Sequence, residues 1–367
     1  METTTATSVT DTPLAAQHRE AGAAMGVWFG CQLPSDFGDP RAEQGFAVHT
    51  VALVDKNYRC YFSLQGPDRR RYLNAILTGN IKDLAEGRGV VSLFLNPQGR
   101  ILAEIETHAG PESLFCVSHA MIQETLLEAL EKYIIMDDVT LSDETPRYAT
   151  LGLEGPLAAK IVLETTGMVL GDSGELASLA ATVGSIACRV VKRSPGGIAG
   201  AEFLVERAEA AALWQILEQA TRKLAGGPMG YAALSAQRMA QGTPWFGYDF
   251  GDKQIPHEAG LEDSHISYTK GCYTGQEIVE RVRSRGQVNR RRVDLLFSGE
   301  TVPPPGTPFL LEGKEVGYLT RAARNYFPPA VLGMGYVRKE GRTLGTKLET
   351  AAGAATVVHF PEALESK

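Results

Sequence analysis

The sequence predicts an α+β protein built from two related modules and a C-terminal β-barrel. The first observation is a repeated local pattern, in which a strand-like run stops at Gly-Pro and a helix-spaced run follows. The second is a series of short strand-like runs after Arg292, at 293–297, 315–320, 331–337 and 356–360, some of them separated by Pro- and Gly-rich turns. The third is the length of 367 residues, which exceeds what one ordinary hydrophobic core supports.

The repeated pattern is the main evidence for two related modules. In each copy a strand pair, turned by a Pro- and Gly-containing loop, and a longer amphipathic helix follow the Gly-Pro stop. The first copy comprises a strand at 60–64, a helix at 69–77, strands at 89–95 and 101–107 with 114–117 behind them, and a helix at about 120–133. The second comprises a strand at 148–153, a helix at 157–163, strands at 186–192 and 202–205 around the turn 194–197, and a helix at 208–224. Since Gly-Pro is a common stop, the alternative is coincidence without duplication.

The remaining segments complete the predicted organisation. Residues 22–45 look irregular, 46–54 look like a strand, and 231–240 look like a helix. Residues 242–263 form a long polar loop with interspersed aromatic residues, which is either a pocket wall or a loop packed on its own rings. The predicted divisions are a flexible tail at 1–20, α+β modules at 21–145 and 146–228, a connecting segment at 229–289, and the barrel at 290–367.

Composition excludes several classes of protein. The net charge of −7 argues against general nucleic-acid binding, and no apolar run is long enough for a membrane span. The five cysteines are scattered without a CxxC pair, which argues against a disulfide framework and a structural zinc site. We therefore expect a cytoplasmic monomer. Walker, GxSxG, HExxH and GxGxxG motifs are absent from the sequence.

One stretch carries most of the chemical information, Lys270-Gly271-Cys272-Tyr273-Thr274-Gly275-Gln276-Glu277. Thr274 and Glu277 have the spacing of a capping box, so a helix is predicted to begin here. Cys272 would then precede a helix N-terminus, where backbone N–H groups favour a thiolate, and Lys270 adds positive charge. The hypothesis is that Cys272 is a catalytic thiol of lowered pKa, assisted by Lys270.

Neighbouring residues leave alternatives open. One alternative is that His265 acts as a base for Cys272. Another is that His257 and His265 bind a metal ion, although their eight-residue spacing matches no known metal-binding motif. Six arginines follow the stretch, and they either attract an anionic ligand or line a solvated edge. These arginines are Arg281, Arg283, Arg285, Arg290, Arg291 and Arg292.

The eight-residue stretch resembles the signature of the folate-binding YgfZ family, which is related to the T-protein (aminomethyltransferase) of the glycine cleavage system. Weaker similarity covers nearly everything from about Gly22 to Phe360, including residues 65–68, 96–100 and 242–249. The resemblance implies a tetrahydrofolate-binding cloverleaf of α+β modules with a C-terminal β-barrel. It also implies work in the assembly or repair of iron–sulfur enzymes, in which Cys272 matters.

Several positions depart from the T-protein pattern. An Asp pair that serves the folate site in T-proteins is Ala103-Glu104 here, although Glu104 could replace an aspartate. Glu202 matches a pterin-binding acid, and Arg238 is retained. The other altered positions are Leu234-Ser235, Ser118 and Thr78-Gly79-Asn80. These changes disfavour aminomethyl transfer and favour the YgfZ-like function.

The sequence thus supports three functional hypotheses. The leading one is a protein that binds a reduced folate through Glu104, Glu202, Arg238 and Arg281 and supports iron–sulfur enzymes or their assembly proteins through Cys272. The first alternative is a folate-dependent aminomethyltransferase that acts on a lipoylated carrier. The second is a non-enzymatic, folate-responsive binding module.

Overall fold

A small sheet and two helices precede the first module in this computed structural model, which describes residues 9–171, 174–193, 199–286 and 288–365. The elements are β1 (Thr10–Asp11), α1 (Ala15–Glu20), β2 (Ala24–Trp28), β3 (Cys31–Asp36) and α2 (Pro40–His49). The predictions of a loose tail to residue 20 and of irregular structure at 22–45 are therefore wrong for the described part. Leu14 and His18 are buried, and His18 Nε2 lies 2.9 Å from Asp55 Oδ2, which fixes this segment to the core.

The prediction of a strand at 46–54 is largely wrong, because helix α2 includes residues 46–49. Asp39 caps this helix by accepting hydrogen bonds from the amides of Arg41 and Ala42, and Pro40 stands at its first turn. The strand that follows is short, β4 (Ala52–Asp55). The local capping signal at Asp39-Pro40 outweighs the apolar run after it.

The first module contains a five-stranded sheet with two helices. Its elements are β5 (Arg59–Gln65), α3 (Arg69–Ile76), β6 (Gly89–Leu95), β7 (Ile101–Ala109), β8 (Ser113–His119), α4 (Gln123–Tyr133) and β9 (Thr140–Asp143). The strand order is β6-β7-β8-β5-β9. Both helices pack on one face of the sheet, where Leu73 and Leu130 join one hydrophobic cluster with Phe62 and Leu64 of β5.

The second module contains a six-stranded sheet. Its elements are β10 (Tyr148–Glu154), α5 (Ala158–Thr166), β11 (Ser178–Val183), β12 (Ile186–Lys192), β13 (Gly200–Glu206), α6 (Ala210–Lys223) and β14 (Gly227–Pro228). The strand order is β11-β12-β13-β10-β4-β14. Strand β4 precedes the first module in sequence yet pairs antiparallel with β10, so the two modules are not separate along the chain. The predicted turn at 194–197 lies outside the described residues.

The two modules share one topology. The sequence of elements is strand, helix, three strands and helix in both, and the strand orders β6-β7-β8-β5 and β11-β12-β13-β10 correspond. Two coincidental Gly-Pro stops would not produce the same order in two sheets. The structure therefore supports the predicted duplication.

Four helices connect the modules to the barrel, α7 (Tyr231–Ala240), α8 (Pro256–Ala259), α9 (Glu262–His265) and α10 (Gln276–Arg285). The predicted capping box before α10 is wrong. Gly275, with φ +81°, is the residue that precedes the helix, and its left-handed conformation leaves Thr274 outside the capping position. Glu277 instead pairs with Arg281 one turn later.

The C-terminal strands form a closed six-stranded barrel, as the sequence predicts. They are β15 (Arg290–Phe297), β16 (Pro308–Leu311), β17 (Lys314–Tyr326), β18 (Pro329–Arg338), β19 (Lys347–Thr350) and β20 (Gly353–Val358), followed by α11 (Glu362–Glu365). The order around the barrel is β15-β18-β17-β16-β19-β20. Strands β16 and β19 were not predicted. Within the described ranges, no helix has the length and apolar character that crossing a membrane requires.

Candidate functional site

A polar cavity of 410 Å³ opens between the two modules, helix α7 and the segment 241–246. This volume lies within the range of about 300–1,000 Å³ that is typical of small-molecule sites. Three of the predicted folate contacts line it, namely Glu104 of β7, Glu202 of β13 and Arg238 of α7. The fold therefore brings together residues that are far apart in sequence.

Glu104 is held as a carboxylate by His265. His265 Nε2 donates to Glu104 Oε1 at 2.9 Å, and His265 Nδ1 lies 2.7 Å from the hydroxyl of Ser264. Burial alone raises the pKa of Glu104, but the hydrogen bond and charge of His265, with smaller contributions from His119 and Arg193, lower it to about 2. Glu104 is thus ionised at neutral pH and presents negative charge at the cavity wall.

Glu202 is also ionised, but its oxygens are already occupied. Arg59 Nη1 and Nη2 donate to its two oxygens at 2.5 and 2.9 Å. Burial raises the pKa of Glu202, whereas the charges of Arg59, Arg193 and Lys56 outweigh it and lower the pKa to about 2. Because Arg59 takes both oxygens, Glu202 is mainly the partner of a buried cation in this structure.

Arg238 faces the cavity with unused donors. Its side chain is buried, its Nη1 donates to Asp249, and its guanidinium lies 4.5 Å from the centre of the Trp245 ring. Its Nε and Nη2 atoms are buried and have no hydrogen-bond partner in the described structure. A buried guanidinium with free N–H groups is a suitable donor to an anionic or carbonyl group of a ligand.

Aromatic and neutral imidazole groups complete the wall. Tyr58, Trp245 and Phe246 line the cavity, and the ring of His119 lies 4.9 Å from that of Phe246. Burial lowers the pKa of His119 to about 4, so this imidazole is neutral at pH 7. The segment 242–263 thus supplies a pocket wall, as one of its two sequence interpretations predicts.

Lys270 does not line the polar cavity. Its Nζ donates to three backbone carbonyls at the end of α3, those of Asn74 at 2.6 Å, Leu77, and Gly79 at 2.9 Å. Burial lowers the pKa of Lys270 to about 8. The Lys270 ammonium group thus caps a helix C-terminus in this structure, and its catalytic role stays a prediction.

Cys272 and its neighbours also lie outside the polar cavity. Cys272 is exposed, while Tyr273 is buried in a cluster with Leu95 and Phe246. Gly275 packs against the turn at residues 96–99, where an added Cβ atom would lie 2.7 Å from the carbonyl oxygen of Asn96. The stretch therefore anchors α10 to the first module, through the end of α3 and the turn at residues 96–99, and leaves the Cys272 thiol at the surface.

The pairing of His265 with Cys272 is not supported, because both ring nitrogens of His265 have other partners. His257 Nε2 lies 3.3 Å from the hydroxyl of Tyr268. Across the part of the chain that the structure covers, no group of three or more His, Cys, Asp or Glu side chains is placed to hold a metal ion.

The arginine-rich segment contributes one residue to the polar cavity. Arg281 is half-exposed and pairs with Glu277 at 2.7 Å on α10. It does not line this cavity, and its role as a folate contact stays a prediction. Arg292 lines the cavity and donates to Asp294 at 3.0 Å. Arg283 stacks on Tyr268, with 4.1 Å between the guanidinium and the ring centre. Most of this segment therefore pairs with residues outside the polar cavity.

A larger cavity of 630 Å³ lies between α4, the segment 246–254 and the barrel strand β17. Its wall is mainly apolar and includes Met121, Leu126 and Phe250. None of the predicted site residues lines this cavity, so the polar cavity is the better candidate for the functional site.

Sequence reasoning missed several residues of the polar cavity, including Arg59, Glu106, His119 and Arg193. One signal was present in the sequence. Glu104, Glu106 and His108 alternate along β7, which places three ionisable side chains on one face of a strand. Such an arrangement on an otherwise apolar strand indicates a buried polar site rather than a solvated face.

The chain is similar to known proteins in family, sequence and structure. The family described as "GCVT N-terminal domain" matches residues 14–265. An aminomethyltransferase of Streptomyces avermitilis is 26% identical and covers 91% of each chain. An aminomethyltransferase of Cutibacterium acnes is 28% identical, and the similarity covers 97% of this chain and 98% of that protein. The aminomethyltransferase T of the Bartonella henselae glycine cleavage system has a TM-score of 0.86 at 20% identity, covering 96% of this chain and 98% of its own.

Proposed function

The chain belongs to the GCVT N-terminal domain family, and from this premise we propose that it is a tetrahydrofolate-dependent one-carbon transferase of the aminomethyltransferase type. The observation that supports the proposal most directly is the polar cavity, with ionised Glu104 beside His265. The aminomethyltransferase relatives support tetrahydrofolate as the cofactor. When bound, tetrahydrofolate supplies the nitrogen that accepts or releases the one-carbon unit.

The residues of the cavity fit a folate. A reduced folate combines a flat polar ring with carboxylates, and the cavity combines aromatic side chains with an arginine that has unused donors. Arg238 would hold an acceptor group of the folate through its free Nε and Nη2 atoms. Trp245 and Phe246 would pack against flat parts of the ligand and exclude water.

Glu104 and His265 are assigned the electrostatic work of the reaction. The Glu104 carboxylate stays ionised at neutral pH and would stabilise positive charge on an amine of the bound folate. His265 Nε2 donates to Glu104 Oε1 at 2.9 Å and so holds the carboxylate in place and keeps it ionised. Glu104 thereby takes the place of the aspartate that the T-protein pattern expects, with His265 fixing the longer side chain.

The test is tetrahydrofolate binding and turnover with matched variants. Arg238→Met should weaken tetrahydrofolate binding in a fluorescence titration by about 10- to 100-fold, as loss of a charged hydrogen bond does. Glu104→Gln should retain binding and lower the rate of methylene-tetrahydrofolate formation from an aminomethyl-lipoyl carrier by about 100-fold. Glu277→Gln is the control, because Glu277 is exposed and outside the cavity. Absence of tetrahydrofolate binding by the wild-type protein would refute the proposal.

A second candidate function, supported by a separate observation, is assistance to iron–sulfur enzymes through Cys272. Cys272 is exposed, whereas Cys31, Cys60 and Cys116 are buried, so its thiol is available to a partner protein. This function depends on the finer assignment to the YgfZ family, which remains a prediction, as do the iron–sulfur partners.

The second candidate is tested in cells in which the chain is replaced by its Cys272→Ala variant. Iron–sulfur enzyme activity should fall in these cells and stay normal with Cys188→Ala, a half-buried cysteine of β12. Normal activity in both strains would contradict the role of Cys272. If the protein then also bound tetrahydrofolate without forming methylene-tetrahydrofolate, the non-enzymatic binding module would be the better explanation.

A further inference from the structure

A third cavity, of 220 Å³, lies between the N-terminal sheet, helix α7 and the barrel strand β17. It is separate from the polar cavity and shares none of its lining residues. Among the described residues that line it, the charged ones are Arg321 and Arg324, and the others include Trp28, Ser235 and Tyr326. The cavity is therefore cationic, and it lies on a face of the molecule that the proposed transferase reaction does not use.

Arg321 is placed at this cavity by an irregularity in the barrel. The pairing of β17 with β18 shifts register between Leu319 and Arg321, and such a bulge redirects the side chains that follow it. The Arg321 guanidinium lies 4.4 Å from the ring centre of Trp28 and 4.3 Å from that of Tyr248. Two aromatic rings thus hold a half-buried cation in one orientation.

No carboxylate among the described residues forms an ion pair with the stacked guanidinium of Arg321. Asp249 attracts Arg321 electrostatically. However, the carboxylate oxygens of Asp249 already accept hydrogen bonds from Arg238, Thr320 and the amide of Trp245. Aromatic stacking occupies the faces of a guanidinium and leaves its in-plane N–H groups free to bind an oxyanion. Arg321 is therefore oriented for a ligand, with one additional contact to the hydroxyl of Tyr248.

Ser235 provides an independent indication of a ligand. Its side chain is 2% exposed, it lines this cavity from helix α7, and its buried hydroxyl has no hydrogen-bond partner among the described residues. An unpaired buried hydroxyl costs about 1–3 kcal/mol, so such groups normally have a partner. A hydroxyl donor beside two guanidinium groups is a suitable set of donors for a phosphate group.

We propose that this cavity binds the phosphate group of a small molecule, through the Arg321 guanidinium, the charge of Arg324 and the Ser235 hydroxyl. Two cations favour a dianion over a single carboxylate, and Asp249, which attracts Arg321, already accepts hydrogen bonds from other donors. The cavity is smaller than the roughly 300 Å³ at which sites for drug-sized ligands begin, so it suits a phosphate group with little more of the molecule attached to it. This site is independent of the folate proposal.

The test is calorimetric titration of the full-length protein with inorganic phosphate, against potassium chloride at matched ionic strength. Arg321→Met should weaken phosphate binding by about 10- to 100-fold, and Ser235→Ala by about 3- to 10-fold, as loss of a charged and of a neutral hydrogen bond predicts. Arg283→Met is the matched control, because Arg283 also stacks on an aromatic ring but lies outside this cavity. The control variant should bind phosphate like the wild type.

Each other outcome would overturn the assignment. Absence of phosphate binding by the wild type would do so, as would equal weakening by Arg283→Met. Acetate that binds as tightly as phosphate would show that the cavity is not selective for a dianion. Arg321→Met removes a stacked side chain and with it some packing. If that variant does not fold, the proposal is tested by the Ser235→Ala variant instead. Unchanged affinity in the folded Ser235→Ala protein would refute the proposal.

Discussion

Replacing Arg59 with Met should lower the free energy of unfolding by about 3 kcal/mol. Arg59 and Glu202 form two hydrogen bonds of 2.5 and 2.9 Å, and their side chains are only 7% and 6% exposed. Removing one partner of a buried pair costs about 3–5 kcal/mol, because the other charge stays buried. The lower end applies here because Arg193 Nε remains 3.9 Å from Glu202 Oε1.

The same reasoning predicts partial rescue and a shift in acid sensitivity. The double variant Arg59→Met/Glu202→Met should be more stable than Arg59→Met, since the uncompensated carboxylate is gone. Glu202 has a pKa of about 2 in the folded protein, below its ordinary value of 4.5. It therefore contributes stability above about pH 4.5, which is lost as the pH falls towards 2. Loss of Arg59 raises this pKa, so acid unfolding should begin at a higher pH.

Urea unfolding at pH 7, followed by tryptophan fluorescence, measures these differences. The control is Arg147→Met. Arg147 is an exposed arginine whose Nη2 lies 2.8 Å from Oε1 of Glu206, and Glu206 lies on β13, the strand that also carries Glu202. Because those side chains are 57% and 47% exposed, the control should cost less than about 1 kcal/mol. A loss below 1 kcal/mol for Arg59→Met, or one equal to the control, would refute the reasoning.

Three further predictions concern the stretch 270–277. Lys270→Met should lower the free energy of unfolding by about 2 kcal/mol, because the carbonyls at the end of α3 lose their hydrogen-bond donor. The urea experiment measures this, and a loss below about 0.5 kcal/mol would contradict the prediction. Gly275→Ala should cost more than about 1 kcal/mol, because φ is +81° and the carbonyl of Asn96 is close, whereas Gly271→Ala should stay within about 0.5 kcal/mol. In the folded protein, the exposed thiol of Cys272 should react rapidly with a thiol reagent, and the Cys272→Ala variant should lack this fast reaction. A fast reaction that persists in the variant would contradict the prediction, because it would show that another cysteine is accessible.

The fold was predictable from sequence where the signals are local. The repeated strand, Gly-Pro stop and helix recur in both modules, and the short strands after Arg292 form the closed barrel. Strand β4 was not predictable as a member of the second sheet, because its partner β10 comes after the whole first module. Sequence periodicity predicts an element and its buried face, but it carries no information on pairing between distant strands.

The site was predictable only in part, for a similar reason. Glu104, Glu202 and Arg238 were expected at a folate site and line one cavity. Their partners were not identified, since His265 is 161 residues from Glu104 and Arg59 is 143 residues from Glu202. The stretch around Cys272 has the most specific sequence signal, yet it lies outside this cavity.

The pairing of β4 with β10 affects the order in which the protein folds during synthesis. β4 leaves the ribosome before the first module, but its antiparallel partner follows only after β9 has completed the other sheet. The first module can therefore collapse while β4 is still an unpaired edge, and the second sheet closes late around it. Long-range pairing of this kind is slow, and an exposed edge strand is prone to pair with other chains. Conditions that delay synthesis between β9 and β10 should therefore favour aggregation.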